Sequence, residues 1–294
     1  MDLSPPPLLD VETLLETSEP RPRANWFWYG VGTFALVAML SSYLASRSQG
    51  AKTLVDVGSV LLMLGLGAAM GMMSFRAVKA QRREQKALEA MEELVQLRRW
   101  EQAAMILREF LGQPVRLAQS RLQALFYMTA VLARFHRFEE CLKVQEYLLD
   151  QEGLDPMSAY GVRLGRAMTL LRQDHLVDAN QAISELKRMV GDQPSAGVAL
   201  IDLYRDVITG HPTEAIEVFE QKRDILREQL GHRVADAYGL VACAFEMLGR
   251  HDEAKQNYED ATRLSPVEEL HRRYPQVARL GEKYSPAVAP KGAA

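Results

Sequence analysis

Apolar and polar positions follow two different patterns along this chain. Residues 26–45, WFWYGVGTFALVAMLSSYLA, and residues 57–75, VGSVLLMLGLGAAMGMMSF, carry no charge, whereas the chain beyond Arg76 mixes apolar and polar residues at helical spacing. At about 1.5 Å of rise per residue, either uncharged run is long enough to cross the ~30 Å hydrocarbon layer of a bilayer. The link at 46–53 is too short to hold a domain, so the pattern predicts a transmembrane helical hairpin over 26–75. Arg21 and Arg23 precede it and Arg76, Lys79, Arg82, Arg83 and Lys86 follow, which predicts both termini on the cytoplasmic side of a bacterial inner membrane. Gly67 and Gly71 form a GxxxG that permits close helix packing, either within the hairpin or in a homo-oligomer built through the membrane helices. Neither run contains an Asp, Glu, Lys, Arg or His, which weighs against a small transport subunit.

No Pro or Gly interrupts 73–110, so the second run is expected to continue as a helical stalk. Beyond it the chain repeats. The clearest unit is at 235–266. Tyr238, Val241, Ala242 and Phe245 fall at i, i+3, i+4 and i+7 on one helical face, and Gly249 supplies a turn. Ala254, Tyr258 and Ala261 mark a second helix that closes at Pro266. This arrangement resembles the tetratricopeptide repeat (TPR) family, whose two helices carry large and small residues at these places. A turn followed by a small residue recurs upstream in RRWEQAAMIL, HRFEECLKVQ, DHLVDANQAI and GHPTEAIEVF. The small residues are Ala103, Cys141, Ala179, Ala215 and Ala254, spaced by 38, 38, 36 and 39 positions. The reading is all-α: a leader at 1–25 that is Pro-rich and disordered, the hairpin at 26–75, an α-solenoid of about five helix pairs with a C-terminal capping helix at 76–284, and a disordered tail at 285–294. Within the leader, Leu8, Val11, Leu14 and Leu15 are spaced for one short amphipathic helix.

In the third and fourth units Arg163, Arg166, Asp202 and Asp206 fall where the strict register wants apolar side chains. A shift of one residue puts Leu164, Ala167, Leu171, Leu200, Leu203 and Val207 there instead. The shifted register is preferred because unpaired buried charge is costly.

The resemblance implies a protein-binding groove lined by the first helix of each pair, and Phe126, Ala130, Met168, Tyr204 and Cys243 are its candidate residues here. Family members that hold acidic peptide termini use basic and amide side chains on those helices, but the matching places in the last unit are Gly239 and Cys243. A partly apolar groove suits an amphipathic helix or an extended peptide.

Charge and composition narrow the chemistry. Between positions 76 and 294 there are 31 Lys and Arg against 32 Asp and Glu, a balance that does not fit a nucleic-acid footprint. Only Cys141 and Cys243 occur, so neither a disulfide framework nor a cysteine metal site is supported. The six histidines form no i, i+4 pair, and no phosphate-cradling or nucleophile-elbow motif is present. No catalytic residue, cofactor or metal is therefore assigned. The functional expectation is a membrane-anchored scaffold or adaptor whose partners are other proteins and the lipid bilayer. The alternative is a non-catalytic regulatory subunit of a membrane enzyme complex in envelope metabolism.

Overall fold

The computed structural model describes residues 10–20, 32, 39, 52–151, 153–191 and 193–284, and among these every regular element is helical. The chain divides into two compact units, Met1–Val131 and Leu132–Ala294.

In the first unit, α1 (Val11–Thr17) begins at Asp10, whose carboxylate accepts from the Thr13 amide at 3.3 Å. Part of the leader expected to be disordered is thus a short helix, at the amphipathic spacing of Val11 and Leu14, and it is docked. Val11 and Leu14 are buried, and Thr17 Oγ1 donates to the Leu111 carbonyl at 3.1 Å. The buried Arg121 guanidinium donates to Ser18 Oγ at 2.9 Å and to the Leu15 carbonyl at 2.7 Å. Next come α2 (Lys52–Gln96) and α3 (Trp100–Leu111), which pack together around Leu88, Met91, Ala103 and Leu107. The next helix, α4 (Ala118–Arg134), ends just past the unit boundary.

The membrane expectation is corrected here. Among the described residues no helix is long and apolar enough to cross a membrane. The run at 57–75 is not an element of its own but part of the 45-residue α2, which continues through Arg76, Lys79, Arg82, Arg83 and Lys86. Continuation beyond 75 as one long helix is as expected; what is not retained is the span, because a window without charge is not by itself a membrane-crossing helix. The other run, 26–45, lies outside the described residues apart from Gly32 and Met39. The multi-pass inner-membrane location, with the lipid bilayer as partner, is therefore not retained. Gly67 and Gly71 are exposed on α2, with nothing within 4 Å of where a Cβ would sit.

The second unit is a succession of antiparallel helices: α5 (Phe138–Leu149), α6 (Pro156–Arg172), α7 (Leu176–Val190), α8 (Ala196–Ile208), α9 (Pro212–Leu230), α10 (Val234–Met247) and α11 (His251–Leu264). Helix α6 rests against α8 and α8 against α10, while α7 and α9 pack against the first helix of the next pair. This is nearest-neighbour stacking of a repeat array. Its continuous core runs from Ala167 to Leu280. The chain closes with α12 (Val267–Arg273) and α13 (Pro275–Tyr284), broken from one another at Pro275.

One turn recurs five times. A single residue takes a left-handed conformation at Arg98 (φ 57°), His136 (58°), Asp174 (63°), Gly210 (79°) and Gly249 (73°). The next residue's amide then reaches back across the turn: Arg99 to the Leu94 carbonyl at 2.8 Å, Arg137 to Leu132 at 3.0 Å, His175 to Leu170 at 3.0 Å, His211 to Asp206 at 2.8 Å and Arg250 to Phe245 at 2.9 Å. Such six-residue closures satisfy helix-end carbonyls that would otherwise be orphaned. Five positions after each left-handed residue stands one of the small residues Ala103, Cys141, Ala179, Ala215 and Ala254, and all five have no exposed surface. Small, fully buried side chains at these places let the two helices of a pair approach closely.

Candidate protein-binding face

The first helices of the second unit carry a row of aromatic and charged side chains near the same face. Tyr204 comes from α8, and Asp236, Gly239 and Cys243 come from successive turns of α10. Arg134 and Arg172 come from the ends of α4 and α6. This face is covered by the chain's own C-terminal segment. Tyr274, between α12 and α13, is fully buried, with its ring 5.3 Å from that of Tyr204 in an edge-to-face arrangement at 72°. The Arg172 guanidinium sits 5.8 Å from the Tyr274 ring centroid.

Asp236 is the electrostatic centre of the face. It has no exposed surface, and Arg273 Nη1 lies 2.7 Å and 2.8 Å from its two oxygens. The Tyr274 hydroxyl donates to it at 3.3 Å, and Arg233 approaches to 3.6 Å. A carboxylate this deeply buried is tolerable only with such partners. Burial pushes the Tyr274 hydroxyl pKa well up, with the nearby Asp236 adding to the effect, so it remains a neutral donor. At the two ends of the segment, Glu269 pairs with Arg134 at 2.8 Å, and Glu246 of α10 accepts from Lys283 at 2.6 Å and from the Tyr284 hydroxyl. The Lys283 ammonium, followed by the Tyr284 hydroxyl, holds the Glu246 carboxyl down to about 2. Close approach completes the seat. A Cβ on Gly239 would meet Val277 and Leu270 at 3.3–3.4 Å, and one on Gly281 would lie 2.3 Å from the His271 ring and 3.0 Å from the Tyr258 hydroxyl.

The groove residues expected from sequence fall into two groups. In the first unit, Phe126 is exposed and Ala130 half-buried on α4. In the second, Met168 is half-buried on α6, whereas Tyr204 and Cys243 are buried, Tyr204 beneath Tyr274. The sequence reading missed Arg134, Arg172 and Asp236, because their partners lie far away in sequence and no local pattern marks them. The repeat-motif residues Tyr238, Val241, Ala242, Phe245, Ala254, Tyr258 and Ala261 are all buried, and Gly249 makes the turn. Pro266 stands extended between α11 and α12.

Residues 235–268 match the tetratricopeptide repeat family. The chain carries a tetratricopeptide repeat. The four earlier pairs share its turn and its buried small residue. A solved thermophilic TPR protein from Thermus thermophilus aligns at 18% identity with a TM-score of 0.49, over 67% of this chain and 99% of that one. No curated protein matches the sequence.

Among the described residues no group of three or more His, Cys, Asp and Glu side chains could hold a metal ion. Both cysteines are buried thiols outside any disulfide, and desolvation raises Cys141 to about 11 and Cys243 to about 12, far from thiolate reactivity.

Proposed function

We propose that the chain is a protein-interaction module that receives a helical segment of a partner along the first helices of its repeats. One observation supports this most: in the second unit that face already accommodates a helical segment, with an aromatic anchor in contact with Tyr204 and a buried ion pair at Asp236. A face that desolvates a tyrosine and satisfies an arginine has the makeup of a binding hot spot. Met168 is half-buried on α6 in the second unit, and Phe126 is exposed on α4 in the first; each offers apolar surface on a first helix. The test is affinity capture with the full chain against a variant carrying Phe126→Glu and Met168→Glu, with helicity checked by circular dichroism. The proposal expects the variant to lose the partners that the unmodified chain retains. Recovery of the same partners by both would refute it.

A further inference from the structure

The C-terminal segment 266–284 has the makings of a bound ligand as well as of a cap. It is two short helices broken at Pro275, and helices of this length are marginal alone, so their stability comes from the surface they rest on. Extended backbone at Ser265 (φ −142°, ψ 144°) and Pro266 (φ −55°, ψ 135°) separates it from α11. Its contacts cross the repeat array. Tyr274 alone reaches Arg172 of α6, Tyr204 of α8 and Asp236 of α10, and Glu269 reaches Arg134 of α4. A cap that merely shielded the last hydrophobic face would need to touch only the last pair. Charges on the two sides are complementary throughout: Arg134 to Glu269, Asp236 to Arg273, Glu246 to Lys283.

We propose that segment 266–284 is a self-ligand seated on a face formed by α6, α8 and α10, and that the external partner is a segment of the same chemistry, two short helical turns joined by a break, which displaces it. The inference rests on the interaction reading above and names its partner class. That segment carries a glutamate, then an arginine and a tyrosine four and five positions later, and, after a break in the helix, apolar residues three and six positions beyond the tyrosine. These are the places held here by Glu269, Arg273, Tyr274, Val277 and Leu280. The segment lowers the fraction of chains with an open face, so apparent affinity for any partner falls by that fraction.

The test uses the full chain and a fluorescein-labelled peptide of residues 266–284, followed by anisotropy. Gly281→Ala drives a methyl into the His271 ring and should loosen the segment in place without altering the face beneath it. Peptide binding should then tighten by about tenfold or more over the unmodified chain. Adding Asp236→Asn should abolish that gain. Equal binding by the unmodified chain and Gly281→Ala, or a gain that survives Asp236→Asn, overturns the proposal. Hydrogen exchange on the unmodified chain decides independently of how Gly281→Ala folds. The amides of 267–284 should exchange about tenfold faster than those of α10 and α11. Exchange in step with α10 and α11 would make the segment an integral cap and would also overturn the proposal. If that happens while Phe126→Glu and Met168→Glu still lose partners, the interaction reading stands and only the self-ligand falls.

Discussion

The helix pairs α6–α7 and α10–α11 are built alike from unlike residues. The later pair turns at Gly249 and carries the family's large and small side chains; the earlier one turns at Asp174 and lacks most of them. Yet the left-handed residue, the amide reaching back to a carbonyl and the fully buried alanine five positions on are the same in both. The repeat therefore resides in a backbone turn and one close helix contact. Glycine makes that turn easier, but aspartate and histidine also adopt the left-handed region more readily than most residues.

Buried carboxylates sharpen the contrast. Asp202 and Asp206 on α8 are paired locally: Arg205 reaches Asp202 at 3.1 Å and Asp206 at 2.7 Å, and Lys187 of α7 reaches Asp202 at 2.8 Å. Asp236 on α10 has a local partner, Arg233, only at 3.6 Å, and its close ion pair, at 2.7 Å, is with Arg273, 37 residues away. Removing Asp236 strands a partly buried guanidinium, so Asp236→Ala should cost about 3–5 kcal/mol in denaturant unfolding. Asp202→Ala should cost clearly less, because Lys187 is half exposed and can return to water. Equal losses would show that the C-terminal segment contributes nothing special to α10.

Close packing comes next in size. Ala179→Leu and Ala254→Leu should each destabilise by about 1–3 kcal/mol, and by similar amounts, if the two pairs are the same structural unit. A tolerated Ala179→Leu would mean that α6–α7 is assembled more loosely.

Smaller still are the turn substitutions, which should have opposite signs. Gly249→Ala should lower stability by about 1 kcal/mol, and Asp174→Gly should raise it by up to about the same amount, read as shifts in thermal midpoint. The smallest effect is a pH dependence. Because the Glu246 carboxyl is depressed to about 2 from 4.5, its contribution is complete above 4.5 and is lost as the pH falls toward 2. Glu246→Gln should therefore be less stable than the unmodified chain at pH 6 and no different at pH 2. With Lys283 half exposed, the gap at pH 6 should stay below about 1 kcal/mol.

Sequence periodicity reveals the repeats well and their long-range seating poorly. The spacings of 38, 38, 36 and 39 between small residues are also the spacings between left-handed turn residues, so the unit length is legible without coordinates. The register of the fourth pair is only half legible. Leu200, Leu203 and Val207 are buried as the shifted register expects, but so are Asp202 and Asp206. Helix α8 is enclosed by α6, α7, α9 and α10, and a helix surrounded on most sides shows no single apolar stripe. The meeting of Tyr274 with Tyr204, and of α1 with Arg121, involves residues far apart in the chain, and nothing local announces either. The uncharged run at 57–75 misled for another reason: its helix continues past the charges as expected, but a window without charge does not by itself make a membrane span.

The claim beneath all of this is that five pairs repeat one turn, including where glycine is absent. NMR couplings and chemical shifts that report φ at His136 and Asp174 test it most directly. The account predicts positive φ at both, near 58° and 63°, with protected amides at Arg137 and His175. Negative φ with fast-exchanging amides at those positions would contradict it.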